Sequence, residues 1–190
     1  MSTREQFIEV GLKLMQQKGY EATGLQEILA EAGLPKGSFY HHFGSKEEFG
    51  RQIVERYGAQ EAARCERMLM ESKGSPLVRL RRYFKELTKV FGPGGTVNGC
   101  MIGRLSLDGA AQRDLLRSQL VLAFTAWQKA IEQTLQAAMD VGELTIEQSL
   151  PSLAAFLING WEGALLRSQT DQNDSALRNF QQIVFDLLLV

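Results

Sequence analysis

The sequence has few prolines, only two cysteines, almost no net charge and no long hydrophobic run. Four prolines occur in 190 residues. No stretch approaches the roughly 20 apolar residues of a membrane-spanning helix, which excludes a spanning protein. Cys65 and Cys100 are too few for a disulfide framework, and residues 1–6 lack the apolar segment of an export signal, so we expect a reduced, cytoplasmic protein. A net charge of −1 gives no support for a nucleic-acid partner, so any such role must come from local arrangement.

Apolar residues recur at intervals of three and four along most of the chain, which is the spacing of amphipathic helices. No long alternating run of apolar and polar residues indicates a strand. We therefore predict an all-α fold of about nine helices. Capping boxes, which satisfy the free amides of a helix start, are predicted at Thr3-x-x-Gln6, Thr23-x-x-Gln26, Ser45-x-x-Glu48 and Thr145-x-x-Gln148.

The first 45 residues are predicted to contain three helices, the last of them running from Lys36 to Phe43. A glycine-containing turn, Ala32-Gly33-Leu34-Pro35, separates this helix from the one before it. Two short helices joined in this way form a helix-turn-helix, whose second helix enters the major groove of DNA. Phe39 and Phe43 can anchor that helix to the core. The residues that remain on its outer face are Lys36, Gly37, Ser38, Tyr40 and His41.

Charge both opposes and favours a nucleic-acid role for this segment. Residues 1–50 hold five basic and seven acidic side chains, and DNA-binding domains are usually basic. However, the run from Ala32 to Lys46 contains no Asp or Glu and offers lysines, histidines, serines and a tyrosine as phosphate donors. The alternative is a solvated helix-turn segment with an aromatic anchor and no DNA role.

The later helices are predicted from Ser45 to about Ser72, from Pro76 to Phe91, from Met101 to Leu107, and in three further segments after that. We place a domain boundary so that residues 1–47 form the helix-turn-helix domain and residues 48–190 a helical effector-binding and dimerisation domain. The last two helices carry broad apolar stripes, which an isologous homodimer contact would bury. Ordinary packing within one chain is the alternative.

A ligand pocket is a further possibility in the second domain. Mixed aromatic and methionine side chains suit a small organic ligand, with a few polar groups to orient it. The alternative is that these residues fill the core. The candidate pocket residues are Phe84, Met101, Arg104, Phe124, Trp127, Asn159, Trp161 and Glu162.

Cys100 is the candidate sensor residue. It lies at a predicted helix start, and a helix N-terminus and Arg104 one turn later both favour the reactive thiolate. The alternative is a small buried apolar residue, which is how we interpret Cys65. Both histidines, His41 and His42, lie in the third helix, so no Cys–His pair supports an enzyme and no ligand spacing supports a metal site. We expect no catalysis and no cofactor.

Residues 3 to about 50 resemble the DNA-binding domain of the TetR family of bacterial transcriptional regulators. The run that carries the resemblance is Gly33-Leu34-Pro35-Lys36-Gly37-Ser38-Phe39-Tyr40-His41-His42-Phe43-Gly44-Ser45-Lys46-Glu47. The resemblance implies a homodimeric repressor that binds a palindromic operator and is released by a small-molecule effector. It further implies base contacts by Lys36, Gly37 and Ser38, and phosphate contacts by Thr23, Tyr40, His41 and Lys46.

Two further runs resemble a TetR subgroup that includes repressors responding to N-ethylmaleimide, reactive chlorine or acrylate-type compounds. They are Asn98-Gly99-Cys100-Met101-Ile102-Gly103-Arg104-Leu105-Ser106 and Trp161-Glu162-Gly163-Ala164-Leu165-Leu166-Arg167. The resemblance implies electrophile sensing at Cys100. In some members the cysteine pairs with a lysine, whose position here is occupied by Gln169, so a Cys–Lys crosslink is not expected. Non-covalent ligand binding with a structural Cys100 is the alternative.

Overall fold

A computed structural model describes residues 1–95, 97 and 99–189 of the chain, so Asn98 of the predicted sensor motif and the last residue of the predicted second domain lie outside the described residues. Within these ranges the secondary structure is helical and contains no strand, which confirms the all-α prediction. The α-helices are α1 (Thr3–Lys18), α2 (Leu25–Ala32), α3 (Lys36–Phe43), α4 (Lys46–Cys65), α5 (Pro76–Phe91), α6 (Met101–Leu107), α7 (Asp114–Asp140), α8 (Leu150–Asp171) and α9 (Ser175–Ile183).

The chain folds into two compact units. The first contains Met1–Gln60 and Cys100–Phe124, and the second contains Glu61–Gly99 and Thr125–Val190. The first unit therefore combines the three N-terminal helices with most of α4, with α6 and with the start of α7. The predicted functional division between residues 47 and 48 stays a prediction. None of the described helices is long and apolar enough to cross a lipid bilayer.

Two predicted capping residues near the N-terminus are wrong. The cap of α1 is Ser2, whose hydroxyl accepts a hydrogen bond from the backbone amide three residues later at 3.2 Å, and not Thr3. The N-cap of α2 is Gly24, without a side-chain hydrogen bond. Thr23 does not cap α2 because its hydroxyl donates to the carbonyl oxygen of Gly19 at 2.6 Å.

The other two predicted caps have different outcomes. Ser45 caps α4 as predicted, since its hydroxyl accepts from the amide of Glu48 at 3.0 Å. Thr145 does not cap α8, which begins later, with Ser149 as the N-cap. The rigid ring of Pro151 fits the first turn of that helix, where no amide donor is required.

The core of the first unit is built on aromatic rings from α1, α3 and α4. The Phe7 ring meets the Phe39 ring edge-on at 5.5 Å, and Phe49 lies 5.1 Å from Phe39 and 4.8 Å from Phe43. A Cβ at Gly11 would lie 2.4 Å from the Phe49 ring, so only glycine lets α1 approach α4 this closely. These rings fix the orientation of α3.

In the second unit, helices α5, α7, α8 and α9 enclose a core that includes Tyr83, Phe84 and Trp161, all at most 1% exposed. Helices α8 and α9 pack closely, since a Cβ at Gly160 would lie 3.1 Å from the Phe180 ring. These two helices and the π-helical turn Val184–Leu188 that follows α9 also leave large apolar side chains exposed, namely Phe156, Leu166, Ile183, Leu187 and Leu188.

Candidate nucleic-acid interface and sensor cysteine

Helix α3 presents one buried face and one solvent face. Phe39 and Phe43 are at most 3% exposed and hold the helix against the core. On the other face Tyr40 is 44% exposed, and Lys36 lies near it, with its ammonium nitrogen 5.8 Å from the centre of the ring. Gly37 and His41 are also exposed, and Ser38 is half-buried. The outer face predicted from the sequence is therefore free of the packing that anchors the helix.

Most carboxylates of the first 50 residues are paired with basic side chains that lie outside α3. Glu31 binds Lys13 at 2.5 Å, and the Arg56 guanidinium, which bonds Glu5 at 2.8 Å, holds the pKa of that carboxyl below its usual value. Two further arginines form ion pairs with carboxylates of this segment: Arg51 with Glu48 and Arg113 with Glu21, each at 2.9 Å. These three arginines all lie beyond residue 50, so a count of acidic residues in the first 50 positions overstates the negative charge of that segment.

Lys46 lies at the start of α4 and packs on an aromatic ring. Its ammonium nitrogen is 4.4 Å from the centre of the Tyr20 ring, and the guanidinium carbon of Arg113 is 5.2 Å from the same ring. Burial lowers the pKa of the Lys46 ammonium and raises the pKa of the Tyr20 hydroxyl. The lysine is half-buried, so it is more restrained than an ordinary surface lysine.

The turn after α6 holds the turn after α1, a contact that sequence reasoning missed. The amide of Tyr20 donates to Asp108 at 2.6 Å, and the other oxygen of that carboxylate accepts from the amide of Ala110 at 2.9 Å. The sequence signalled only the bond from Asp108 to the amide of Ala110, because an aspartate commonly accepts from the backbone amide two residues later. Asp108 therefore links α6 to the helix-turn-helix segment.

Thr23 is the one predicted phosphate contact whose side chain is fully buried. Its relative exposure is 0%, and its hydroxyl is used by the Gly19 carbonyl. In this conformation the hydroxyl does not reach solvent. The phosphate contact expected of Thr23 stays a prediction.

Cys100 is the N-cap residue of α6, as the sequence predicted, and is 6% exposed. The Tyr57 hydroxyl donates toward its sulfur at 3.9 Å. Arg104, one turn later, donates to the carbonyl oxygen of Gln17 at 3.2 Å. Gln169 lies against Gly99, the residue before the cysteine, because a Cβ added at Gly99 would lie 2.5 Å from the amide nitrogen of Gln169.

Cys65 has the properties of a structural thiol. It is 4% exposed, and its sulfur donates to the Tyr83 hydroxyl oxygen at 3.4 Å. Burial raises the pKa of the Cys65 thiol to about 11, so the thiol is protonated at neutral pH. A protonated thiol is a poor nucleophile, and this agrees with the role assigned from the sequence.

The candidate pocket residues divide between the two units. In the first, Met101 is buried, and Arg104 and Phe124 are half-buried. In the second, Trp127 and Trp161 come together, with ring centres 5.7 Å apart, while Phe84 packs on Phe180 at 5.3 Å. Asn159 is exposed, and Glu162 is half-buried. That all eight line one pocket stays a prediction.

Sequence reasoning missed a largely buried charged pair near the C-terminal end of α4. Glu61 and Arg64 form a pair with 3.3 Å between carboxylate oxygen and guanidinium nitrogen. Their side chains are only 17% and 20% exposed. Charged residues three apart on a long helix usually indicate a solvated face, so the sequence carried no signal of their burial.

Comparison with known proteins identifies the family. A family model described as "Bacterial regulatory proteins, tetR family" matches residues 7–62, and one described as "Tetracyclin repressor-like, C-terminal domain" matches residues 76–184. The chain is 31% identical to the HTH-type transcriptional repressor DhaR of Mycobacterium sp. strain GP1, over 98% of this chain and 92% of DhaR. It is 32% identical to the transcriptional regulator AcuR of Cereibacter sphaeroides, over 93% and 80%.

A solved structure agrees with these relatives over nearly the whole length. The reduced form of Escherichia coli NemR superposes with a TM-score of 0.90 at 28% identity, covering 98% of this chain and 97% of that one. The two family matches together span most of the chain and correspond to its helix-turn-helix and its later helices. The chain therefore belongs to the TetR family of bacterial regulatory proteins and is a ligand-responsive, DNA-binding transcriptional regulator.

Proposed function

We propose that residues 1–47 bind an operator in double-stranded DNA and that residues 48–190 bind the effector and form the dimer. The exposed, carboxylate-free face of α3 carries this proposal. Lys36, Gly37 and Ser38 at the start of α3 approach base edges in the major groove. Tyr40, His41 and Lys46 contact the phosphate backbone, which fixes the register of the helix on the duplex.

The regulator acts as a homodimeric repressor. Phe156 and Leu166 of α8, together with Ile183 and Leu187 at the end of the chain, are 46% to 66% exposed, and a second copy would bury them. A two-fold contact places two α3 helices on half-sites about 34–36 Å apart, so the operator is palindromic. Binding to chromosomal DNA implies a cytoplasmic protein. No reaction is assigned, because the relatives are transcriptional regulators.

The DNA contacts are tested on fragments recovered from a genome-wide search for bound DNA. Affinity is measured by fluorescence anisotropy across a series of salt concentrations. Tyr40→Ala weakens binding and leaves the dimer intact, while Lys46→Ala lowers the slope of log affinity against log salt by about 1, the contribution of one phosphate contact. Lys129→Ala is the control, since Lys129 is an exposed lysine of α7. Unchanged affinity and slope in both test variants would contradict the proposed interface.

Cys100 is the proposed electrophile sensor. Its sulfur adds as the thiolate to the β-carbon of an α,β-unsaturated carbonyl, the displaced electron pair moves to the α-carbon, and that carbon takes a proton from water. Its place at the start of α6 and the Tyr57 hydroxyl 3.9 Å away support a polarised thiol. The adduct favours a conformation that no longer binds DNA.

The sensor proposal is tested by releasing DNA with such a compound from the wild type and from Cys100→Ser. Release from the wild type alone is expected, and mass mapping locates the adduct. Equal release from both proteins would remove the thiol from the mechanism and leave non-covalent effector binding, which the 6% exposure of Cys100 supports. DNA binding itself would stand in either case.

A further inference from the structure

A charged pair lies at the C-terminal end of α4 in the second unit. The Arg64 guanidinium contacts Glu61 at 3.3 Å and lies over the ring of Phe91, with 5.1 Å from guanidinium carbon to ring centre. Burial raises the pKa of the Glu61 carboxyl, and the charges of Arg64 and Arg67 oppose that rise. Since both side chains of the pair are partly exposed, this end of the cluster reaches the surface.

Aromatic rings continue from this pair into the core. Phe91 meets Trp161 edge-on with ring centres 6.2 Å apart, and Trp161 meets Trp127 in the same way at 5.7 Å. Trp161 is 0% exposed. We call these residues the Arg64–Trp161 cluster: Glu61, Arg64, Phe91, Trp127 and Trp161.

Two hydrogen-bond donors of the cluster are buried and unmatched. Among the residues that the structure describes, neither the Arg64 Nη1 group nor the Trp161 indole nitrogen donates a hydrogen bond to any acceptor. Native proteins pair almost all buried polar groups, because a buried donor without an acceptor costs free energy. Both groups are hydrogen-bond donors, so each of them needs an acceptor atom such as an oxygen.

We propose that the Arg64–Trp161 cluster binds a neutral carbonyl oxygen carried on a small apolar effector. The proposal rests on the proposed function, since it names the chemical class of the effector. Arg64 and Trp161 donate to the oxygen, and the rings of Phe91 and Trp127 contact the apolar body. The cluster thereby recognises its ligand without forming a covalent bond.

Charge decides between a neutral carbonyl and a carboxylate. The Arg64 guanidinium already has the Glu61 carboxylate as its partner, at 3.3 Å. Arg67 also acts on Glu61, but it is exposed and solvent screens its charge. A second carboxylate would therefore add a buried negative charge without a buried counter-charge, which is costly at low dielectric. A carbonyl oxygen accepts from the same donors and adds no charge.

The test uses three probes of similar shape: cyclohexanone, methylenecyclohexane and cyclohexanecarboxylate. All binding is measured on full-length Cys100→Ser protein, so that no covalent chemistry contributes. Both tryptophans of the chain belong to the cluster, so intrinsic fluorescence reports on it directly, and calorimetry gives the affinities. Cyclohexanone is expected to bind about tenfold more tightly than either of the other probes, the effect of pairing one or two buried donors.

Two variants assign the effect to the named donors. Trp161→Phe keeps an aromatic ring and removes the N–H, so it should weaken cyclohexanone binding several-fold and leave methylenecyclohexane unchanged. The double variant Glu61→Gln with Arg64→Met removes the guanidinium without leaving its carboxylate partner unpaired. Arg67→Met is the matched control, because Arg67 is exposed three residues further along.

Each outcome bears on the proposal. Equal binding of cyclohexanone and methylenecyclohexane, tighter binding of the carboxylate, or no binding of any probe would overturn it. So would a Trp161→Phe protein that keeps the preference for the ketone. These measurements need no DNA, so a protein that binds cyclohexanone as expected but no operator would contradict the proposed function and leave the ligand class standing.

Discussion

Replacement of Asp108 tests the link between the turn after α6 and the turn after α1. One oxygen of this carboxylate accepts from the amide of Tyr20 at 2.6 Å, and the other accepts from the amide of Ala110 at 2.9 Å. Tyr20 is 2% exposed, so its amide has little access to water once the carboxylate is removed. Asp108→Ala therefore leaves one buried donor unmatched and one short helical turn without its cap.

The expected loss of stability combines these two effects. A buried donor left without an acceptor costs about 1–3 kcal/mol, and loss of a capping side chain costs about 1 kcal/mol. We expect Asp108→Ala to lower the free energy of unfolding by about 2–4 kcal/mol, of which Asp108→Asn should restore part, since its amide oxygen still accepts.

Urea denaturation followed by circular dichroism measures this loss. Tryptophan fluorescence would not report on the first unit, because both tryptophans lie in the second unit. Protein concentration is held constant, since the stability of a dimer depends on it. Asp114→Ala is the control: that side chain is 86% exposed in the same region and should cost under about 1 kcal/mol. If Asp108→Ala unfolded within about 0.5 kcal/mol of this control, the proposed burial of the Tyr20 amide would be wrong.

Two further predictions concern packing and thiol chemistry. Gly11→Ala should destabilise the protein by about 1–3 kcal/mol, because the added Cβ would lie 2.4 Å from the Phe49 ring. A Cβ at Gly37 would meet nothing within 4 Å, so Gly37→Ala should stabilise the protein by up to about 1 kcal/mol and weaken operator binding. Thermal melts and anisotropy check both, and equal melting shifts of the same sign would contradict the packing argument. Cys65 should resist N-ethylmaleimide at pH 7 and react faster as the pH rises toward its pKa of about 11, since only the thiolate attacks. Peptide mapping measures this, and labelling at pH 7 as fast as in urea would refute it.

Helix positions were largely predictable because proline and glycine act locally. Pro76 and Met101 begin α5 and α6 as predicted, and Phe43 ends α3. Capping residues were less predictable, because several hydroxyl side chains stand near each helix start and the backbone geometry selects among them. Thr23 shows this: its sequence position suits a cap, but its hydroxyl bonds a carbonyl of the preceding turn.

Helical spacing in the sequence predicted which residues form the outer face of α3. It did not predict the charge of the surroundings of that face. Counting acidic residues in the first 50 positions could not show that Arg56 and Arg113, distant in sequence, neutralise Glu5 and Glu21. The burial of Arg64 was equally invisible, because it depends on Phe91 of another helix. Contacts between residues far apart in sequence can be identified only once the fold is known.

The arginine pairs have a consequence for the construction of hybrid regulators. A chimera that joined residues 1–47 to the later helices of another family member would separate Arg56 and Arg113 from the carboxylates that they pair with in residues 1–47. Glu5 and Glu21 would then lose their counter-charges and repel the very duplex that the hybrid is meant to recognise. A working transplant must therefore carry α4 and the turn before α7 along with the helix-turn-helix.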